Sequence, residues 1–220
     1  MENSLLCDIC KKYNVSLKKE LIFVVRSFFL NGFVSVGGGN HSFRSENPTQ
    51  IWITPSGYPR SHIQEKDLVL IDLNGNVLKG NLRPTIEVPF HTSIYKNRED
   101  INAICHVHSP YTLGYFLSAK IKNTENEGIF TLDEKPIIDL KFVGKNSPLV
   151  IDYKQLGSKA LGNIVGLASK MISTSPFGVM ILLNHGIIAM GRCVHEAKFL
   201  IELYEEWAKC LIIKKKLKIS

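Results

Sequence analysis

His106-Val107-His108 closes an apolar run that begins at Ile101. Residues two apart on an extended strand project to the same face. Two such imidazoles can therefore close on one divalent cation, at about 2.0–2.1 Å for each Zn–N bond. A surface strand with two exposed histidines explains the bare pair as well, so its neighbours must decide. Glu87 opens a run that reads as a helix, and His185 lies in Asn184-His185-Gly186 between two apolar segments, where a tight turn can aim its ring at the same centre. Three histidines leave one position of a four-coordinate metal open, as catalytic zinc does and structural zinc does not. A carboxylate at that position can serve as acid or base.

Two polar glycine loops stand apart from this group. Gly37-Gly38-Gly39-Asn40 and Thr54-Pro55-Ser56-Gly57 offer backbone N–H groups and small hydroxyls, which together can form an anion-binding nest. Pro84-Thr85-Ile86 precedes Glu87 at a helix N-terminus, where the dipole also favours an anion. Each loop alone also reads as an ordinary turn.

The elements that must position these groups follow from periodicity. Ser16 is a candidate N-cap for an amphipathic helix carrying Leu21, Val24, Val25, Phe28 and Phe29, which should stop at Asn31-Gly32. Ile51–Thr54, Leu68–Asp72 and Val77–Lys79 read as strands, the last two joined through Asn74-Gly75 as a hairpin. Glu87–Lys96 reads as a helix and Ile101–His108 as a central strand. Lys120–Leu149 is charged and reads as irregular and mobile. Gly157–Ile172 has helical spacing, Val179–Leu183 and Ile187–Met190 read as strands, and a long helix from about Val194 turns Ala197, Leu200, Tyr204, Trp207 and Leu211 inward. Helices alternating with strands, some in antiparallel hairpins, imply an α/β chain with a mixed sheet covered by helices.

The 220 residues suit one domain, with enough chain to bury a core without disulfides. Five scattered cysteines fit a reducing, cytoplasmic compartment, and Cys7-Asp8-Ile9-Cys10 lacks the second pair that a zinc ribbon requires. No apolar run is long enough for a membrane span, and Met1–Cys10 lacks the order of a secretory signal. The net charge of +7 owes much to Lys214, Lys215, Lys216 and Lys218, which read as a solvated helix end and not as a nucleic-acid surface. His41 and His91 read as structural, His62 and His195 as surface or cap positions, and Trp52 and Trp207 as core.

From Leu17 to Leu211 the motifs and their order resemble the class II (metal-dependent) aldolase/adducin-head family. Gly38-Gly39-Asn40-His41-Ser42, Ile53-Thr54-Pro55-Ser56-Gly57, Asp67 to Gly75, Arg83-Pro84-Thr85-Ile86-Glu87, Ala103 to Pro110 and Leu183-Asn184-His185-Gly186 carry the resemblance. It implies a three-layer αβα sandwich around a mixed, largely antiparallel sheet. It implies one divalent metal per subunit, zinc by preference, on His106, His108 and His185, with Glu87 able to approach it as the acid/base carboxylate. Gly39, Asn40, Ser56, Gly57 and Thr85 would hold a substrate phosphate. The assembly implied is a homotetramer with active sites between subunits.

The activity implied is reversible aldol cleavage of a phosphorylated ketose of the fuculose 1-phosphate kind, giving dihydroxyacetone phosphate and an aldehyde. A methylthioribulose-1-phosphate dehydratase or a sugar-phosphate epimerase on the same scaffold is the alternative. Epimerase-like members carry Asp where this chain has Glu87. A non-catalytic assembly module like the adducin head predicts loss of the ligand set, and all four residues are kept here. Ile86 stands where the family commonly has a small hydroxyl residue. The tyrosine that aldolases of this type contribute from a neighbouring subunit has no match in Lys120–Leu149, where Phe130 is the nearest aromatic; the family's C-terminal tyrosine is also missing, with Leu211 near its place.

Overall fold

A computed structural model describes residues 16–132, 148–172 and 178–217. The Cys7–Cys10 pair and Lys218 fall outside the described residues. Helix α1 (Leu17–Leu30) buries Leu21, Val24, Val25 and Phe28 along one face and ends at Asn31. Ser16 fills the N-cap position, but its hydroxyl donates to Glu65 Oε2 at 3.3 Å and makes no cap bond. Strands β1 (Asn40–Arg44), β2 (Gln50–Ile53), β3 (Val69–Asp72) and β4 (Val77–Lys79) follow, then helix α2 (Val88–Asn97), strand β5 (Ala103–Val107) and the short helix α3 (Pro110–Phe116). The remaining elements are β6 (Ile121–Asn123), β7 (Ile129–Leu132), β8 (Leu149–Ile151), helix α4 (Lys159–Met171), β9 (Gly178–Leu182), β10 (Gly186–Gly191) and helix α5 (Val194–Leu217).

The stretch from Lys120, expected to be irregular, opens with the paired strands β6 and β7. Polar Lys122 and Thr131 conceal the alternation there, and the backbone ladder needs no apolar side chain to form. Residues 133–147 lie outside the described residues.

All ten strands form one sheet, in the order β4-β3-β2-β1-β5-β10-β9-β8-β7-β6. Every pairing is antiparallel except β8 with β9. Alternation along the central strands divides the side chains between two cores. Ala103, Cys105 and Val107 of β5 join α1, α3 and α5 on one face. Ile104 joins α2 and α4 on the other, with Ile188 and Met190 of β10. The architecture is therefore helix layer, sheet, helix layer. Period-two spacing puts His106 on the Ile104 face, where its ring meets Phe90 of α2 edge-on at 5.5 Å. No helix among the described residues is long and apolar enough to cross a membrane.

Helix α2 matters most for the site, because Glu87 is its N-cap residue. It is held against α4. Arg98, at its C-cap, donates to the carbonyls of Ser169 and Ile172, and Asn97 donates to that of Gly166. At Gly162 the two helices touch backbone to backbone, and a Cβ there would stand 2.9 Å from Pro89 Cβ and 3.0 Å from the Pro89 carbonyl.

Two glycine substitutions separate this close approach from simple helix propensity. Gly162→Ala gains about 1 kcal/mol of propensity but forces α2 aside, an overpacking cost of about 1–3 kcal/mol; thermal unfolding should show net destabilisation. Gly114→Ala in exposed α3 meets nothing nearer than Ile212 Cδ1 at 4.0 Å, so it should be neutral or stabilising. A Gly162→Ala protein as stable as the parent would mean that α2 is not pinned here.

Candidate metal centre

Three neighbouring strands converge on the site, and their backbones are shaped to admit it. Strand β5 lies between β1 and β10, with His106 opposite Asn40 on one side and Ile188 on the other. Gly186 opens β10, where a Cβ would stand 2.3 Å from the Val107 carbonyl oxygen and 2.8 Å from His106 Cε1. Only a hydrogen leaves room for the ring. Before it, Asn184 takes a left-handed conformation (φ 57°), and the His185 N–H donates to the Leu182 carbonyl at 3.1 Å. Asparagine tolerates that conformation better than most residues, and the tight turn swings the His185 ring back over the strand ends.

The three histidines expected to act together do meet. His106 Nε2 lies 3.1 Å from His108 Nε2 and 3.1 Å from His185 Nε2. Glu87 joins them, with Oε2 3.2 Å from His106 Nε2 and Oε1 3.5 Å from His185 Nε2. His106 and Glu87 are buried, His185 is nearly so and His108 is half-buried. The Nδ1–H of His106 donates to the Ile187 carbonyl at 3.1 Å, which leaves Nε2 with a lone pair aimed into the cluster.

Burial, reinforced by the neighbouring imidazoles, holds His106 well below the usual histidine range. Burial also lowers His185 to about 4 and depresses His108, which feels Arg60 in addition. The same desolvation pushes Glu87 up to about 7, against the pull of its hydrogen bond from Asn40. Neutral imidazoles therefore face one another and a carboxylate across hydrogen-bond distances, with too few protons to satisfy every contact. A cation resolves that conflict, and three neutral nitrogens beside a carboxylate are a donor set a divalent metal accepts.

Behind Glu87 runs a relay of buried hydrogen bonds. Asn40 Nδ2 donates to Glu87 Oε2 at 2.9 Å, and its Oδ1 accepts from His91 Nε2 at 2.6 Å. His91 Nδ1 accepts from Ser42 Oγ at 2.8 Å, and Ser42 Oγ in turn meets the Tyr95 hydroxyl at 3.0 Å. Burial lowers His91 to about 3, so its ring stays neutral and donates through Nε2 alone. Both ends of the Asn40 amide are thus engaged, and its side chain fixes one carboxylate oxygen. His41 is buried on the opposite face, stacked on Phe28, while His195 pairs with Glu20.

A cavity of about 140 Å³ opens onto this cluster. Gly39, Asn40, Ser56, Gly57, Thr85, Glu87, His108 and His185 all line it, so the residues expected to hold phosphate share one space with Glu87, His108 and His185, with His106 buried behind them. The loops are tied together: the Ser56 N–H donates to the Arg83 carbonyl and the Thr85 N–H to that of Thr54. Ile86 and Leu156, half-exposed, form an apolar rim. Phe130 packs against the α1–α5 core instead. Arg60 lines the cavity too, and the reading from sequence passed over it. A lone arginine among turn residues carries no local sign that it is buried.

A family model described as "Class II Aldolase and Adducin N-terminal domain" matches residues 19–212. An L-fuculose phosphate aldolase of Methanocaldococcus jannaschii is 34% identical over 196 residues, covering 89% of this chain and 96% of that protein. A 3-oxo-tetronate 4-phosphate decarboxylase of Haemophilus influenzae is 28% identical, covering 89% and 87%. The solved structure of an L-fuculose 1-phosphate aldolase superposes with a TM-score of 0.74 at 27% identity, over 91% of this chain and 87% of that one.

The protonation pattern of the cluster sets how cation binding responds to pH. At pH 6 His106 and His185 are already neutral and burial pushes His108 in the same direction, while Glu87, raised to about 7, is mostly protonated. Binding of a divalent cation at pH 6 should then release about one proton, and almost none at pH 8. Calorimetry in buffers of different ionisation enthalpy reads this number directly. Release that persists in Glu87→Gln would show that the histidines, not the carboxyl group, carry the proton.

Proposed function

The chain belongs to the class II aldolase and adducin N-terminal domain family and is an enzyme of the class II aldolase type, and we propose that it catalyses reversible aldol cleavage of a phosphorylated ketose to dihydroxyacetone phosphate and an aldehyde. The observation that carries this reading is the meeting of Glu87 with three imidazole nitrogens at the floor of a cavity walled by two glycine loops. Class II aldolases are metal-dependent. His106, His108 and His185 would hold the ion, and neutral imidazoles suit zinc. Bound there, zinc supplies Lewis acidity towards the substrate's carbonyl.

The chain's own residues do the rest. Asn40 holds Glu87 Oε2, whereas Oε1 receives no side-chain hydrogen bond. That oxygen is free to take a proton from the reacting carbon and return it. A carboxyl group poised at about 7 does both at neutral pH. Gly39, Asn40, Ser56, Gly57 and Thr85 would receive the phosphate.

Decarboxylation of a 3-oxo acid phosphate is the second reading, favoured by the H. influenzae relative. It makes the same demands on cation and anion site but less on a base. The single ten-stranded sheet among the described residues supports one domain. A homotetramer in which a neighbouring subunit covers the cavity is the assembly the family resemblance implies, and Ile86 and Leu156, 49% and 47% exposed, leave an apolar rim for such a neighbour. The thiols of Cys105 and Cys210 support a cytoplasmic location.

Incubation with a panel of ketose and 3-oxo acid phosphates should yield dihydroxyacetone phosphate and an aldehyde. Carbon dioxide as the product would install the second reading. Glu87→Gln should slow cleavage by about 10²–10⁴-fold and stop solvent deuterium exchange into dihydroxyacetone phosphate. Exchange at the parent rate in that variant would remove Glu87 from the proton-transfer role.

A further inference from the structure

Arg60 is 1% exposed. Its Nε donates to the Gly38 carbonyl at 2.9 Å and its Nη1 to that of Pro55 at 3.1 Å. Its Nη2 reaches the carbonyls of Gly37 at 3.2 Å and Gly39 at 2.6 Å. One guanidinium thus gathers four backbone oxygens from the two loops that wall the cavity. Buried arginines normally pair with carboxylates. Among the described residues Arg60 forms no ion pair, and burial, which lowers it only to about 10, leaves it charged at neutral pH.

Two consequences follow for the cavity. The C=O and N–H of a trans peptide point in opposite directions, so turning the glycine carbonyls towards Arg60 turns the intervening N–H groups away from it. The Gly38 N–H donates to the Ser35 carbonyl, while that of Gly39 has no backbone acceptor outside the sheet ladders. The charge of Arg60 also has no internal partner, so its field is left for whatever enters the space it lines.

We propose that Arg60 is a positioning residue for the phosphate end of the substrate: it sets the Gly39 N–H towards the anion and supplies the unpaired positive charge that a phosphate monoester dianion completes. The inference rests on the phosphorylated-substrate reading above. Lysine cannot substitute fully, because an ammonium group is a point charge without the planar fork that spans four carbonyls.

The test compares the parent, Arg60→Lys and Arg60→Met, each loaded with zinc, using inorganic phosphate as the binding probe. Phosphate should bind the parent, bind Arg60→Lys about 3–10-fold more weakly and bind Arg60→Met at least about tenfold more weakly. Zinc affinity should be equal in all three. In cleavage of the phosphorylated ketose, KM should rise in the same order, with kcat falling far less. Parent-like phosphate affinity in a folded Arg60→Met overturns the proposal, as does a loss of kcat with KM unchanged. If Arg60→Met does not fold, Arg60→Lys decides alone, and parent-like affinity in it is equally fatal. Failure of the parent to bind phosphate would bring down the phosphorylated-substrate reading itself, which separates the two.

Discussion

Glu87 Oε2 and His106 Nε2 stand 3.2 Å apart in a buried place, with two further imidazole nitrogens close by. Left to themselves, such groups would separate and take up water. The fold prevents this by placing each on a different rigid neighbour: His106 on the sheet's central strand, Glu87 at the start of α2, and His185 on the turn into β10. Antiparallel ladders flank β5 on both sides, so the strand that bears the most crowded nitrogen cannot shift without breaking two sets of backbone hydrogen bonds. The lone-pair crowding stored in this arrangement is what a cation would relieve.

Helix α2 shows how that storage is kept. It is braced at its far end by Arg98 and Asn97 on α4 carbonyls, and along its length by backbone contact at Gly162. Its own His91 reaches Asn40 on β1, and Asn40 reaches back to Glu87 at the helix start. The carboxylate is therefore oriented from two elements at once. Such support confines a side chain to its working geometry more firmly than a loop could.

Much of this was legible in the residues. The His-x-His pair puts both rings on one side of the extended chain, His106 within β5 and His108 just past its end, and its neighbours mark it as a site. The apolar segments around His185 announce a turn, and Pro84 marks the start of the helix that Glu87 caps. Asn40 was harder to read. Its type suits an anion site, and its place at the end of a glycine loop agrees, yet its amide bridges Glu87 and His91. That pairing depends on the β1–β5 register and on the docking of α2, neither of which is a local property of the chain. Arg60 lay beyond reach for a similar reason. Its environment is made by two loops that meet only in the folded state, and charged residues in turns are ordinarily solvated. Strands β6 and β7 were lost to the opposite cause, since their pairing relies on backbone bonds while their side chains read as polar loop.

Arg60 and Glu87 together divide the cavity electrically. The guanidinium, bound only to carbonyls, holds one side positive without a counter-charge of its own. The carboxyl group, raised to about 7, contributes little negative charge until a proton leaves it. An anion entering near the glycine loops therefore meets attraction without strong opposition from the base. A cation on the three histidines would draw the carboxyl group towards ionisation, since a nearby positive charge favours its charged form. A cation on the histidine cluster would thus favour the ionised carboxylate, while the separate positive wall would keep the anion end of the cavity attractive. Two sites of like appetite would compete for one ligand; a cation on the imidazoles and an anion against backbone amides would let one small cavity orient both ends of a single molecule.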